Sequence, residues 1–285
     1  MKLTTVKVDN EELAAVLLGQ KVILIRDIND IAGANWSGNI LSILQNGQLP
    51  QINSWYKRVG NKEINEMNRL VLESVTYAPL YRHPEKIWGV GMNYIDKAIE
   101  LSGKPPEEEP VIFMKPNSSL IGHEDHILLP QQSTQVTAEA ELVIIIGKNC
   151  KNVEEADAPG VVAGFTTSLD MTAKDIHAKN PRYMQRAKSF DTFFSFGPYL
   201  VTVDEVSDID NVIVETVLNG HVQHKNYVKN MMYSPWWIVS FLSKMMTLHP
   251  GDVIMTGTPG SVGITRGDNV GGRITYCGTL NNAVI

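Results

Sequence analysis

The run Thr137-Ala138-Glu139-Ala140-Glu141-Leu142-Val143-Ile144-Ile145-Ile146-Gly147 constrains the fold more than any other stretch of the chain. Its second half is five apolar residues, mostly β-branched and closed by glycine, which reads as a strand buried on both faces. Side chains alternate along a strand, so Glu139 and Glu141 share one side. Two carboxylates so placed repel each other and need a counter-charge or open water. A hard cation such as Mg²⁺, Mn²⁺ or Ca²⁺ suits an all-oxygen pair better than zinc does. The competing reading is a solvated strand end at which both glutamates simply face water.

Composition bounds the setting. With 285 residues, 43% hydrophobic and 20% charged, the chain has the profile of a globular protein with a sizeable core. That length suits one large domain, or a large domain with a small one. A net charge of −6 without a long basic run argues against a nucleic-acid partner. No stretch reaches the roughly 18 apolar residues of a membrane span, and the start MKLTTVKVDNEE lacks the apolar core of a signal peptide. Cys150 and Cys277 show no CxxC spacing and read as reduced thiols of a cytoplasmic protein.

Residues 1–78 read as a smaller α+β unit. Leu3–Val8 and Lys21–Ile25 have strand character, while Asn39–Gln45 and Glu63–Leu72 carry helical spacing. None of these residues carries chemistry. A linker around Ala78-Pro79-Leu80 opens the larger unit, 79–285. There Ile87–Met92 is a strand, and Asn93 to Leu101 a turn entering a short helix with Lys97 and Glu100 on one face. A surface ion pair accounts for that pair equally well. The polar Gly/Pro-rich segment Ser102–Pro110 reads as a loop, either a lid or a plain connector. Val111–Pro116 is a further strand. His123, Glu124, Asp125 and His126 sit in a polar stretch that reads as a hairpin tip rather than a metal cluster.

Val161–Leu169 is expected to be a strand ending at Asp170, with a helix from Met171 to His177. Asp170 supplies the third carboxylate that a metal site needs, and three such ligands leave room on an octahedral ion for water and a chelating substrate. The block Arg182–Tyr199 is basic first and aromatic after. Lys188 lies in it as a loop residue, either solvated or set opposite the carboxylates. Residues 211–230 read as a hairpin turning at Asn219-Gly220, and Met231–Met246 as an apolar helix. Thr256–Gly260 is a glycine-flanked threonine loop whose N–H groups can cradle an anion, without the spacing of a phosphate-transfer loop.

Several motifs in one order now resemble the fumarylacetoacetate hydrolase (FAH) superfamily. They are Gly91-Met92-Asn93-Tyr94, Phe113–Pro116, Glu139–Leu142, Thr166–Asp170, Ala187–Phe193, Gly197–Thr202 and Pro250–Pro259. The resemblance runs from about Lys86 to the C-terminus, and residues 1–78 are similar to the small leading domain of many bacterial members. It implies a mixed α+β fold, with an FAH-type β-roll or barrel behind a smaller N-terminal α+β domain, and a homodimer. It also implies a Mg²⁺ or Mn²⁺ site, with Ca²⁺ as a stand-in, held by Glu139, Glu141 and Asp170. Lys188 matches the family's active-site lysine and Thr258 its loop threonine. With Gly257, His177, Arg186 and Asn93, Thr258 completes the expected substrate contacts.

Three positions depart from the family pattern. Lys97 stands where members often carry a histidine paired with the glutamate, here Glu100. A lysine is the weaker base near neutral pH unless its pKa falls by several units. Leu169-Asp170 replaces the common Asn-Asp, and Lys174-Asp175-Ile176-His177 the usual Arg-Asp-x-Gln. His177 then takes a substrate-binding glutamine's place or supplies the imidazole. The expected activity is metal-dependent C–C cleavage in a 2-oxo or β-diketo acid of acylpyruvate type, through an enolate, with Lys188, Glu100 and Lys97 as catalytic residues. The alternatives are an isomerase or tautomerase of an unsaturated 2-oxo dicarboxylate, and a catalytically weak binding protein on the same fold.

Overall fold

The computed structural model describes residues 1–64, 70–71, 74–95 and 109–285. Strand numbering follows the chain. The leading segment gives β1 (Lys2–Val8), β2 (Glu11–Leu18), β3 (Lys21–Leu24), β4 (Leu70–Val71) and β5 (Thr76–Tyr77). Next come β6 (Ile87–Gly91), β7 (Val111–Met114), β8 (Leu120–Ile121), β9 (Val136–Ile146), β10 (Val162–Ala173) and β11 (Phe194–Thr202). The last six are β12 (Ile213–Leu218), β13 (His221–Tyr227), β14 (Val253–Met255), β15 (Ser261–Ile264), β16 (Asn269–Ile274) and β17 (Gly278–Ala283).

Among the described residues these strands build a large mixed sheet and a small antiparallel one. The large sheet follows the path β4-β3-β2-β1-β11-β10-β9-β14-β6-β7, with β5, β8 and β15 attached at its sides. The path has two different ends, so the sheet does not close into a barrel. The small sheet runs β13-β12-β16-β17. Its hairpin turns where expected: Asn219 and Gly220 both take positive φ, 50° and 81°, as a type I′ turn requires.

The leading strands are part of the large sheet. β1 pairs with β11 through Lys2↔Val201 and Leu3↔Leu200. Sequence patterning misplaced several elements around them. Glu11–Leu18 is a strand that its two leading glutamates disguised, and Leu49–Ile64 is a helix. Leu70–Val71 is a strand on β3 where helical spacing had been expected. β10 also outruns its expected end, because Met171, Thr172 and Ala173 stay in register with Ala138, Thr137 and Val136. The helix after it is therefore Lys174–Lys179, and Asp170 lies within the strand.

β9 is the central wall, and its two faces border two cores. Ala138, Ala140, Leu142, Ile144 and Ile146 pack into a core shared with Val214, Val270 and Leu280 of the small sheet. The helix Pro235–Met245 closes that core with Ile238, Val239 and Leu242. It starts where Ser234 caps the Trp237 N–H at 3.0 Å and Pro235 takes the first turn. On the opposite face Val143 and Ile145 enter a second core with Ile40, Ile43, Ile52 and Trp55 of the leading segment. Each such fully buried aliphatic side chain contributes roughly 1.5–3 kcal/mol.

Candidate active site

Thr137, Glu139 and Glu141 lie on the same face of β9 as Val143 and Ile145, so that face is polar at one end and apolar at the other. The antiparallel register with β10 sets Asp170 directly across from Glu139, and Ser168 across from Glu141. Cross-strand partners stand about 5 Å apart. Register therefore brings the three carboxylates together, and one ligand oxygen from each lies within 4.8 Å of the others. Asp170 is fully buried, Glu141 nearly so, and Glu139 partly exposed.

Two lysines oppose them. Lys188, expected in a loop, ends a short helix, Met184–Lys188, and is buried. Its Nζ bonds Asp170 Oδ2, reaches Thr172 Oγ1 at 2.8 Å and stands 3.6 Å from Glu139 Oε2. The Phe113 ring lies 4.4 Å from the same ammonium. Burial would lower the Lys188 pKa, but Asp170 and Glu139 outweigh it and raise it, so the group stays charged.

Lys115 is the second cation, and the sequence reading gave it no role beyond the Phe-Met-Lys-Pro motif. It follows β7 and is buried, with Nζ 2.6 Å from Asp170 Oδ1. It donates to the carbonyls of Met171 at 3.0 Å, Lys188 at 2.9 Å and Phe193 at 2.6 Å. Burial pushes it down to about 8, with Lys188 repelling and Asp170 pulling the other way. Burial likewise works to raise Asp170, yet its two lysines hold it below the usual carboxylate range. Beyond that motif, the signal for Lys115 in the sequence was a charged residue at the end of an apolar strand.

Glu141 goes the other way. Burial, then Asp170 and Glu139, push its pKa well above the ordinary value. One N–H, from Gly257, bonds its Oε2 at 2.6 Å. Gly257 has φ 101°, and a Cβ there would fall 2.8 Å from Asn93 Cβ, so glycine is required. With all groups ionised, three carboxylates and two ammoniums leave one net negative charge.

That donor set suits a divalent cation. Ligand oxygens about 2.0–2.6 Å from one ion stand no more than about 4–5 Å apart, and the trio, within 4.8 Å of one another, meets that limit. Carboxylate oxygens without sulfur or imidazole in the cluster favour Mg²⁺, Mn²⁺ or Ca²⁺.

The remaining expected contacts are distributed as follows. The Thr258 hydroxyl is buried and turned onto its own loop, donating to the Gly260 carbonyl at 3.0 Å. The Asn93 amide donates to the Tyr233 and Thr256 carbonyls and accepts the Tyr233 N–H, tying the end of β14 to the Tyr233 turn. His177 is half-buried, and its Nε2 has no hydrogen-bond partner among the described residues. Burial, then the Lys188 charge, lowers its pKa, so the ring is neutral at pH 7. Arg186 is exposed and lies over the Tyr183 ring at 5.9 Å. Lys97, Glu100 and the segment Ser102–Glu108 lie outside the described residues. His123 to His126 form a turn after β8, and none of them joins a metal-ligating group among the described residues. Cys150 and Cys277 are buried free thiols.

Comparison with known proteins fits this geometry. Residues 86–285 match the family model of the fumarylacetoacetate (FAA) hydrolase C-terminal domain. A human relative, oxaloacetate tautomerase FAHD2B, mitochondrial, is 38% identical over 220 residues, covering 74% of this chain and 70% of its own. Among solved structures, 5-carboxymethyl-2-hydroxymuconate delta-isomerase from Mycobacterium smegmatis superposes with TM-score 0.78 at 30% identity, covering 100% of this chain and 98% of its own. Maleylpyruvate hydrolase from Sphingobium sp. SYK-6, in complex with manganese (II) ion and pyruvate, superposes with TM-score 0.80 at 26% identity, covering 100% and 99%. No helix among the described residues is long and apolar enough to cross a membrane. The chain belongs to the fumarylacetoacetate hydrolase family.

Proposed function

We propose that this protein is a divalent-metal-dependent isomerase or tautomerase of a 2-oxo dicarboxylic acid, acting as a cytoplasmic homodimer. The observation that carries this reading is the buried Lys188 ammonium, bonded to Asp170 and 3.6 Å from Glu139, beside three convergent carboxylates. The tautomerase name of the human relative and the isomerase name of the mycobacterial structure support it. C–C hydrolysis of an acylpyruvate-type substrate is the second reading, favoured by the hydrolase structure that holds manganese and pyruvate.

Glu139, Glu141 and Asp170 would hold Mg²⁺ or Mn²⁺, which acts as a Lewis acid on neighbouring substrate oxygens. Lys188 sets a fixed positive charge beside the oxygen on which negative charge grows as a proton leaves carbon. Lys115 at Oδ1 and Lys188 at Oδ2 hold the Asp170 carboxylate ionised and fixed in orientation. The Gly257 N–H keeps the buried Glu141 carboxylate oriented. Glu100, with Lys97, carries the proton. Thr258, Gly257, His177 and Arg186 contact substrate, and Asn93 holds the wall behind them.

Asp170→Ala tests the site. Mn²⁺ binding and turnover of 2-oxo dicarboxylates should both disappear, and activity surviving in EDTA would refute the mechanism. Product analysis in H₂¹⁸O separates the two readings. Unchanged product mass indicates isomerisation, and label in a carboxylate indicates hydrolysis.

A further inference from the structure

The small sheet meets the large one beneath the carboxylates. Gly272 of β16 makes the approach close: a Cβ there would fall 2.8 Å from Thr167 Cγ2 and 3.1 Å from Ala140 Cβ. Ala140 is the residue between Glu139 and Glu141. On that side of β9 the pairing passes from Ser261↔Glu139 in β15 to Met255↔Val143 in β14, so Ala140 falls in a gap between two partner strands.

Thr216 of β12 fills the gap. Its hydroxyl oxygen accepts the Ala140 N–H at 3.2 Å and donates to the Gly260 carbonyl at 3.1 Å. The side chain is fully buried. Directly across in β13 stands His224, whose Nε2 lies 3.1 Å from the Ser261 carbonyl. A carbonyl only accepts, so Nε2 carries the proton in this contact. The ring packs against Gly260, where a Cβ would fall 2.2 Å from its nearest atoms. Gly260 and Ser261 are the exit of the loop that carries Thr258, and Gly257 in that loop bonds Glu141.

We propose that Thr216 and His224 are positioning residues, a cross-strand clamp from the small sheet that sets the spacing between the Glu139–Glu141 strand and the Thr258 loop. The clamp itself stands on these contacts; its consequence for the ion rests on the function proposed above. Neither residue touches the carboxylates. Thr216 acts on the backbone between them, and His224 on the far end of the loop that grips one of them.

The test uses the full chain and three variants. Thr216→Val keeps the shape and removes both hydrogen bonds, Thr216→Ser restores them, and His224→Phe keeps a ring without the N–H. Mn²⁺ affinity is measured by calorimetry, and amide hydrogen exchange is followed in peptides covering 138–142 and 256–262. Thr216→Val should weaken Mn²⁺ binding about tenfold, the equivalent of ~1.4 kcal/mol, one hydrogen bond's worth. Thr216→Ser should stay within about twofold of wild type, since it keeps both hydrogen bonds. Exchange should rise in those two segments and not elsewhere. Wild-type affinity together with unchanged exchange in Thr216→Val overturns the clamp. If that variant does not fold, His224→Phe, altering a half-buried ring, carries the same two readouts. Should wild type itself bind no Mn²⁺, the metal reading fails, and exchange alone decides the clamp: raised supports it, unchanged overturns it.

Discussion

Lys115→Met removes a buried ammonium while keeping most of the aliphatic stem, and the structure sets the size of the loss. The carbonyls of Met171, Lys188 and Phe193 lose their donor, at about 1 kcal/mol each as a lower bound. Asp170 keeps Lys188 but loses its other cation, and stripping one partner from a buried pair costs roughly 3–5 kcal/mol. Relief works the other way. Holding Lys115 at about 8 instead of 10.5 means the charged form is disfavoured by roughly 3 kcal/mol, which the variant no longer bears. The balance is a loss of about 3–5 kcal/mol. For a chain of this length that lowers the melting temperature by roughly 6–10 °C. Urea and thermal unfolding in EDTA at pH 7 measure it, below the value at which Lys115 gives up its proton. A loss under about 1 kcal/mol would refute the claim that this ion pair braces the site.

Other substitutions probe separate parts of the structure. Gly164→Ala places a Cβ 2.1 Å from the Val201 carbonyl oxygen, so β10 and β11 must part; a loss of about 3 kcal/mol in urea unfolding is expected. Asn93→Ala deletes three hydrogen bonds around the end of β14 and should speed hydrogen exchange at Thr256 and Tyr233 before it changes the overall melting temperature much. Asp175 is held down to about 2 by the Ser133 hydroxyl, then the Thr134 N–H. A carboxylate depressed on folding stabilises above its ordinary 3.8, and that contribution is lost as pH falls from there towards about 2. Asp175→Asn should therefore lower stability at pH 7 and flatten the acid limb of the stability–pH curve in that window, so that variant and wild type converge near pH 2. An unchanged acid limb would contradict the assignment.

The sequence made one half of the site legible and hid the other. Alternation alone put Glu139 and Glu141 on one side of a strand, because period-two geometry is local. That Asp170 stands opposite Glu139 depends on register across a separation of 31 positions, which no local pattern encodes. Its placement at a strand end failed for a related reason: Met171-Thr172-Ala173 suits a helix as well as a strand, and pairing with β9 decided the matter. Lys115 was passed over because a lysine after a strand is ordinarily solvated, and only the folded chain brings three carbonyls round it. The helix Leu49–Ile64 was missed because Pro50 and Gly60 break up the pattern, although proline is welcome in a first helical turn.

β9 serves the hydrophobic interior on one face, and on the other shares its length between chemistry and packing. This limits how such a protein can be re-engineered. A new substrate preference sought by randomising 136–146 would draw mostly unfolded variants, since nearly every position there belongs to an interior or to the carboxylate group. Libraries confined to the exposed positions of the segment 174–186 would leave that wall, Lys188 and the Gly257 turn standing, and surviving clones should concentrate there.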